Sequence, residues 1–149
     1  MGLLDTFRIS GSALSAERLR MDVVANNVAN MQSTRGLDGG PFKRQVVSFR
    51  ALPNGGSRFS VLFSRMRRSS LPTLGVGVDR IESDQSPGRR VLDPGNPDAD
   101  AEGFVEMPNV DLVVEMTDLV TATRAYEANV TVLNAAKSMA MRALDIGRR

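Results

Sequence analysis

Apolar residues at both ends of the chain recur by threes and fours, whereas those in the middle fall in short runs broken by glycine and proline. Over about residues 3 to 31, Phe7, Leu14, Met21 and Val28 return every seven positions, and Leu3, Val24 and Met31 fill the half-steps. Ser10 and Glu17 interrupt that line. Over about residues 111 to 146 the line is Leu112, Met116, Leu119, Thr123, Tyr126, Val130, Leu133, Lys137, Ala140 and Leu144. Asp111 suits the start of this second helix, Glu115 its first turn and Gly147 its end. All seven prolines lie between Pro41 and Pro108, so both terminal segments are free of helix breakers. The pattern predicts a mainly α protein in which long N- and C-terminal helices (within 1–35 and 109–149) pair as a coiled coil. A β-hairpin and turn-rich middle, 36–108, lies between them. Strands are expected at 42–52, 59–63, 75–81 and 103–107, and a flexible basic insert at about 53–73.

A second stripe runs along the far side of each helix. On the first it is Ile9, Ser12, Ala16, Leu19, Val23, Asn26 and Asn30; on the second, Ala125, Ala128, Val132, Ala135 and Met139. A helix with apolar or small side chains on two opposed sides is expected to be buried on both, and one partner helix covers only one of them. Neighbouring copies of the chain are the expected cover for the other. Within the stretch "VVANNVAN" (23–30), Asn26 and Asn30 can fix register between neighbouring helices, each amide offering donors and an acceptor. The alternative is that they are ordinary residues near a fraying helix end.

Charge changes this picture little. The net charge is +2, but residues 43–90 carry ten Lys/Arg against three acids, and residues 91–119 carry eight acids and no base. Complementarity within one molecule or between copies accounts for such a split. Arg65, Arg67 and Arg68 lack the interleaved aromatics of a nucleic-acid site. The absence of cysteine and histidine removes thiolate nucleophiles, disulfides, His general bases and His-ligated metals. "DADAEG" (98–103) imitates the start of a calcium loop, but its twelfth position is Asn109, after Pro108. Gly75 and Gly77 lack the rest of a dinucleotide fingerprint. Asp93, Asp98 and Asp100 share one hydrophilic turn segment, not a pocket. The expectation is therefore no catalytic residues, no cofactor and no metal. Asp5 and Arg8 interrupt the N-terminal apolar stretch, which fits neither a cleaved secretory signal nor a membrane span. An enzyme or binding module built on the middle region, or a cytoplasmic coiled-coil adaptor, are the competing readings.

"SALSAERLRMDVVANNVANMQSTR" resembles the N-terminal signature of bacterial flagellar axial proteins, the rod, hook and hook-associated group. "PFKRQVVSFRA" and "DPGNPDADAEGFVEMPNVDLVVEMTDLVTATRAYEANVTVLNAAKSMAMRALDIG" are similar to the proximal-rod members of that family. The resemblance covers roughly residues 2–52 and 74–149. It implies a structural, non-enzymatic subunit of the basal-body rod, exported by the flagellar type III apparatus without a cleaved signal and spanning the periplasm. The implied neighbours are its own copies, other proximal rod proteins, a basal adaptor protein, distal rod proteins and the MS ring. The implied task is transmission of motor torque.

Overall fold

The structure, a computed structural model, describes residues 3–36, 39–53 and 73–147. In chain order, two long helices flank a small β-rich middle: α1 (Leu3–Ala29), β1 (Gln45–Pro53), β2 (Thr73–Ser83), β3 (Arg90–Leu92), β4 (Phe104–Glu106) and α2 (Leu112–Gly147). Strands β1 and β2 form one two-stranded sheet, and β3 and β4 another. The helix bounds follow the sequence pattern closely. Of the expected strands, 42–52, 75–81 and 103–107 have counterparts in β1, β2 and β4; β3 was not expected. The expected strand at 59–63 and residues 54–72 of the basic insert lie outside the described residues.

Helix α2 starts where the Asp111 carboxylate accepts the Val113 amide at 2.8 Å, satisfying one of the donors that a first turn leaves open. Helix α1 ends less abruptly. The Asn30 amide is shared between the Asn26 and Asn27 carbonyls at 3.1 and 3.2 Å, and the Asn30 Nδ2 returns to Asn26 O at 2.9 Å. Asn30 therefore closes the last turn with its own side chain. Four threonines of α2 (117, 121, 123 and 131) donate their hydroxyls to carbonyls four residues back.

The described residues form two compact units. One takes the chain up to Arg18, Phe49–Asp79 and the chain from Arg124 onward. In it Ser10, Ala16 and Ala136 are buried. The Ser12 hydroxyl donates to Ile9 O at 2.7 Å and accepts the Val76 amide at 3.1 Å, tying β2 to α1. Gly75 permits that approach. Its φ of +133° is open to glycine and strained for other residues, and a Cβ there would overlap Ser12 Oγ. Across the strand pair, Gly77 lies against Leu52, where an added Cβ would stand 3.1 Å from Cδ2.

The other unit takes Leu19–Ser48 and Arg80–Thr123. Val23, Val24, Asn27, Val105, Glu115 and Ala122 are buried in it. Here the second part of α1 and the first part of α2 meet in opposite order along the chain: Asn27 reaches Glu115, Arg20 reaches Asp118, and Met21 Sδ lies 3.7 Å from Thr123 Oγ1. The short ladder pairs Arg90 with Glu106, Val91 with Val105 and Leu92 with Phe104, antiparallel. Arg90 lies over the Phe104 ring, 5.0 Å from its centre, and bonds Asp100 at 2.6 Å.

The Gly75 geometry yields a first expectation. Gly75→Ala adds both a forbidden φ and an overlap with Ser12, and lowers stability by about 1–3 kcal/mol. Gly11→Ala, at a helical position with open space around its Cβ, is neutral or stabilising by up to about 1 kcal/mol. Urea unfolding of the two variants checks the contrast; equal effects would contradict it.

Candidate functional site

The most connected group of side chains is a buried polar junction where α1, the lead into β1, the end of β2 and the start of α2 converge. It contains the middle asparagine of "VVANNVAN". Asn27, 1% exposed, donates through Nδ2 to Gln45 O at 2.8 Å and to Glu115 Oε2 at 3.0 Å, and accepts the Gln45 amide on Oδ1 at 2.9 Å. Its amide thus pairs with both main-chain groups of one residue, as a neighbouring strand would. The side chain of one helical residue acts as the partner for the first residue of β1.

Glu115 is fully buried, and its carboxylate is held from two sides, by Asn27 and by Arg44 Nε at 2.5 Å. The Arg44 Nη2 group continues to Asp118 at 3.2 Å, and Asp118 in turn accepts Arg20 of α1 at 3.1 Å. Burial alone would lower the Arg44 pKa, but the Glu115 hydrogen bond and the charges of Glu115, Asp118 and Asp84 outweigh it and hold it above the ordinary value. The backbone is stitched into the same group. The Arg44 amide donates to Asn109 Oδ1 at 2.8 Å, Asn109 Nδ2 donates to the carbonyls of Asp84 and Ser86, and the Asp84 amide donates to Arg44 O at 2.7 Å.

The acidic segment is largely neutralised within the chain. Asp98 accepts the Thr34 hydroxyl at 2.8 Å and faces Arg35, and Glu106 pairs with Lys43. In the "DADAEG" turn Asp100 Oδ1 accepts the amides of Phe104 and Glu102 at 2.8 and 3.0 Å and closes the turn, while Oδ2 accepts Arg90. Among the described residues no cluster of acidic side chains is arranged to hold a metal ion. A cavity of about 310 Å³ opens among Thr34, Arg35, Gly40, Pro97, Asp98 and Glu106, and the Thr34 hydroxyl that lines it donates to Asp98.

The residues expected in the seam divide. Phe7, Leu14, Met21 and Val28 of α1, and Leu119, Tyr126, Val130 and Leu133 of α2, are half-buried. Leu112, Met116 and Leu144 are 38%, 57% and 69% exposed. The covered line on α2 runs instead through Glu115, Leu119, Ala122, Tyr126, Asn129, Leu133, Ala136 and Ala140. It keeps four of the ten expected positions and exchanges others for small or polar neighbours, because alanine lets backbones approach and Glu115 brings its own partners. Of the outer-stripe residues, Ala16 and Val23 are buried within the chain, Ile9, Asn30 and Ala125 are half-buried, and Leu19, Asn26, Ala128, Val132, Ala135 and Met139 are exposed. Asn30 bonds to Asn26 and Ser33. Sequence reasoning missed Asn27, Arg44 and Glu115. The available signal was the spacing of Glu115 to Leu119, Ala122 and Tyr126, which forms a heptad line of its own once small residues are counted as core.

Asn27→Ala leaves the Gln45 amide and carbonyl and one Glu115 oxygen without their partner, and destabilises by about 2–3 kcal/mol. Asn26→Ala, at an exposed position, changes stability by no more than about 0.5 kcal/mol. Denaturant midpoints check the order; a larger effect at Asn26 would refute it. Acid acts at other carboxylates. Hydrogen bonds from Ser86, from the Phe104 amide and from the Gly88 amide with Lys43 hold Asp84, Asp100 and Glu106, respectively, below their ordinary values of 3.8, 3.8 and 4.5. Groups with lowered folded-state pKa values contribute stability above the unfolded values and lose it as pH falls through the folded ones. The denaturant midpoint therefore declines below about pH 4.5, and Asp100→Asn makes that decline shallower; an unchanged slope would contradict the assignment.

Comparison with known proteins adds independent information. Residues 7–36 match the model of the flagella basal body rod protein family, and residues 101–146 match that of the flagellar basal body rod FlgEFG protein C-terminal region. The chain is 47% identical to the flagellar basal-body rod protein FlgC of Bacillus subtilis (strain 168), over 99% of this chain and 100% of that protein. It is 42% identical to FlgC of Borreliella burgdorferi, over 98% of each, and 42% identical to FlgC of Escherichia coli O157:H7, over 99% of this chain and 100% of that one. Both matched segments hold parts of the junction, Asn27 in the first and Glu115 and Asp118 in the second. With identity at this level along the whole length, the chain belongs to the flagellar basal-body rod protein FlgC family.

Proposed function

We propose that the protein is a structural subunit of the proximal rod of the bacterial flagellar basal body, packing with its own copies and with other rod proteins into a helical shaft that transmits motor torque. Its work is mechanical and not catalytic. The observation that carries this reading is the exposed apolar face of α2, where Val132 and Met139 stand 49% and 60% exposed beside exposed Ala128 and Ala135. Alanines at this spacing admit a neighbouring helix closely, and the larger side chains fill the remaining space. Leu19 and Asn26 are exposed on α1 as well. Many small contacts of this kind resist twist without any reactive group. Head-to-tail contacts that do not close generate helical arrays.

The partners of this reading are other proximal rod proteins, a FliE-like basal adaptor, distal rod proteins and the MS ring. The subunit reaches the periplasm through the flagellar type III export apparatus. No described helix is long and apolar enough to cross a membrane. No nucleic acid or cofactor enters the account.

Val132→Asp and Met139→Asp place charges on the exposed face and change the stability of the free chain by no more than about 0.5 kcal/mol. Rod completion should fail while export continues. Leu133→Asp, at a half-buried position one residue away, costs several kcal/mol and acts on the fold itself. Rod counts by electron microscopy, with exported protein measured alongside, distinguish the two. Normal rod numbers with Val132→Asp would remove this face from the assembly.

A further inference from the structure

Glu115 lies on the line of side chains between α1 and α2, yet the charge that balances it comes from neither helix. Arg44 belongs to the lead into β1. From α1 the carboxylate accepts a hydrogen bond from the neutral Asn27 amide, whose other hydrogen is held by Gln45 O. Arg20, the cation that α1 brings to this group, bonds Asp118, and Asp118 is a second carboxylate on the same face of α2. Closing the two helices with the strand undocked would bury one carboxylate against a single neutral donor and strip Asn27 of its Gln45 partner. A buried charge whose ionic partner is missing is strongly unfavourable, whereas an apolar pair of similar volume in its place is tolerated or stabilising.

We propose that the Arg44–Glu115 pair is a latch that makes closure of the helices in this unit conditional on docking of the first strand. The helices of this unit gain their packed form only when residues 44 and 45 are seated, because those two residues satisfy the buried side chains of Glu115 and Asn27. The latch follows from the geometry of one chain and does not depend on the assembly reading. If that reading holds, the latch also keeps the helices from presenting a packed surface before the middle region has folded.

The test is a double-mutant cycle in the full chain with Arg44→Met, Glu115→Leu and both together, and with Arg20→Met as a control. Hydrogen exchange is followed over residues 19–29, 45–48 and 112–123. Arg44→Met alone should reduce helix protection by about a hundredfold. The double variant should recover helix protection to near the wild-type level, while residues 45–48 stay less protected than in the wild type. Arg20→Met should leave the helices protected, since Glu115 keeps Arg44. Helices that remain protected in Arg44→Met, or that stay open in the double variant, would overturn the latch. The same cycle read as swimming and rod number decides the question where the free chain is too weakly folded for exchange. Arg44→Met should abolish rods and the double variant restore them, and a double variant no better than Arg44→Met would overturn the latch. A deletion of the whole chain that leaves swimming intact would refute the rod reading and leave the exchange result standing.

Discussion

A single buried carboxylate organises the second unit. Glu115 sits at full burial in the first turn of α2 and is balanced by one cation and one amide, drawn from the lead into β1 and from α1. In a low-dielectric setting such a group is tolerated only when every partner is in place. It therefore fixes where α2 begins, how far α1 extends beside it, and where β1 starts. Asn27 converts that constraint into register, because its amide can read both main-chain groups of Gln45 in only one alignment. Asn109 extends it to the end of β2 and to the approach to α2.

The apolar core around this junction is slight. The buried apolar side chains are three valines and three alanines among the described residues, while Val113, Met116, Val120, Met139 and Leu144 remain more than half exposed. Burying a valine contributes about 1.5–3 kcal/mol at most, so the free chain has a small reserve of stability. Polar contacts therefore specify the subunit, and on the proposed reading the exposed apolar surface is what neighbours in the rod would cover.

The helices were legible in the sequence because each carries a long proline-free heptad pattern, with Asp111 and Gly147 marking the ends of the second. The family was legible from the two terminal segments, which are also where the family models match. The exact line of helix contact was less so. The heptad spacing passes through Leu112, Met116 and Leu144, which are exposed, and beside Glu115, Ala122 and Ala136, which are buried. Contact distance favours the smaller residues, and a carboxylate joins them only because Arg44, some seventy positions earlier, arrives from another element. No local pattern announces such a long-range pair. The asparagines show the same limit: the motif stood out, but spacing drew attention to Asn26 and Asn30, whereas the buried member is Asn27 between them. Strand β3 escaped notice because three residues, Arg90–Leu92, carry too short an alternation to be read.

The most direct test of the account is a reconstruction of intact basal bodies at side-chain resolution. The account predicts that within each subunit the Asn27 amide faces the Gln45 backbone and Glu115 faces Arg44, and that Ala128, Val132, Ala135 and Met139 are covered by a neighbouring rod subunit. A rod in which Glu115 or Asn27 turns outward to bond an adjacent subunit, or in which that face of α2 stays open to solvent, would contradict it.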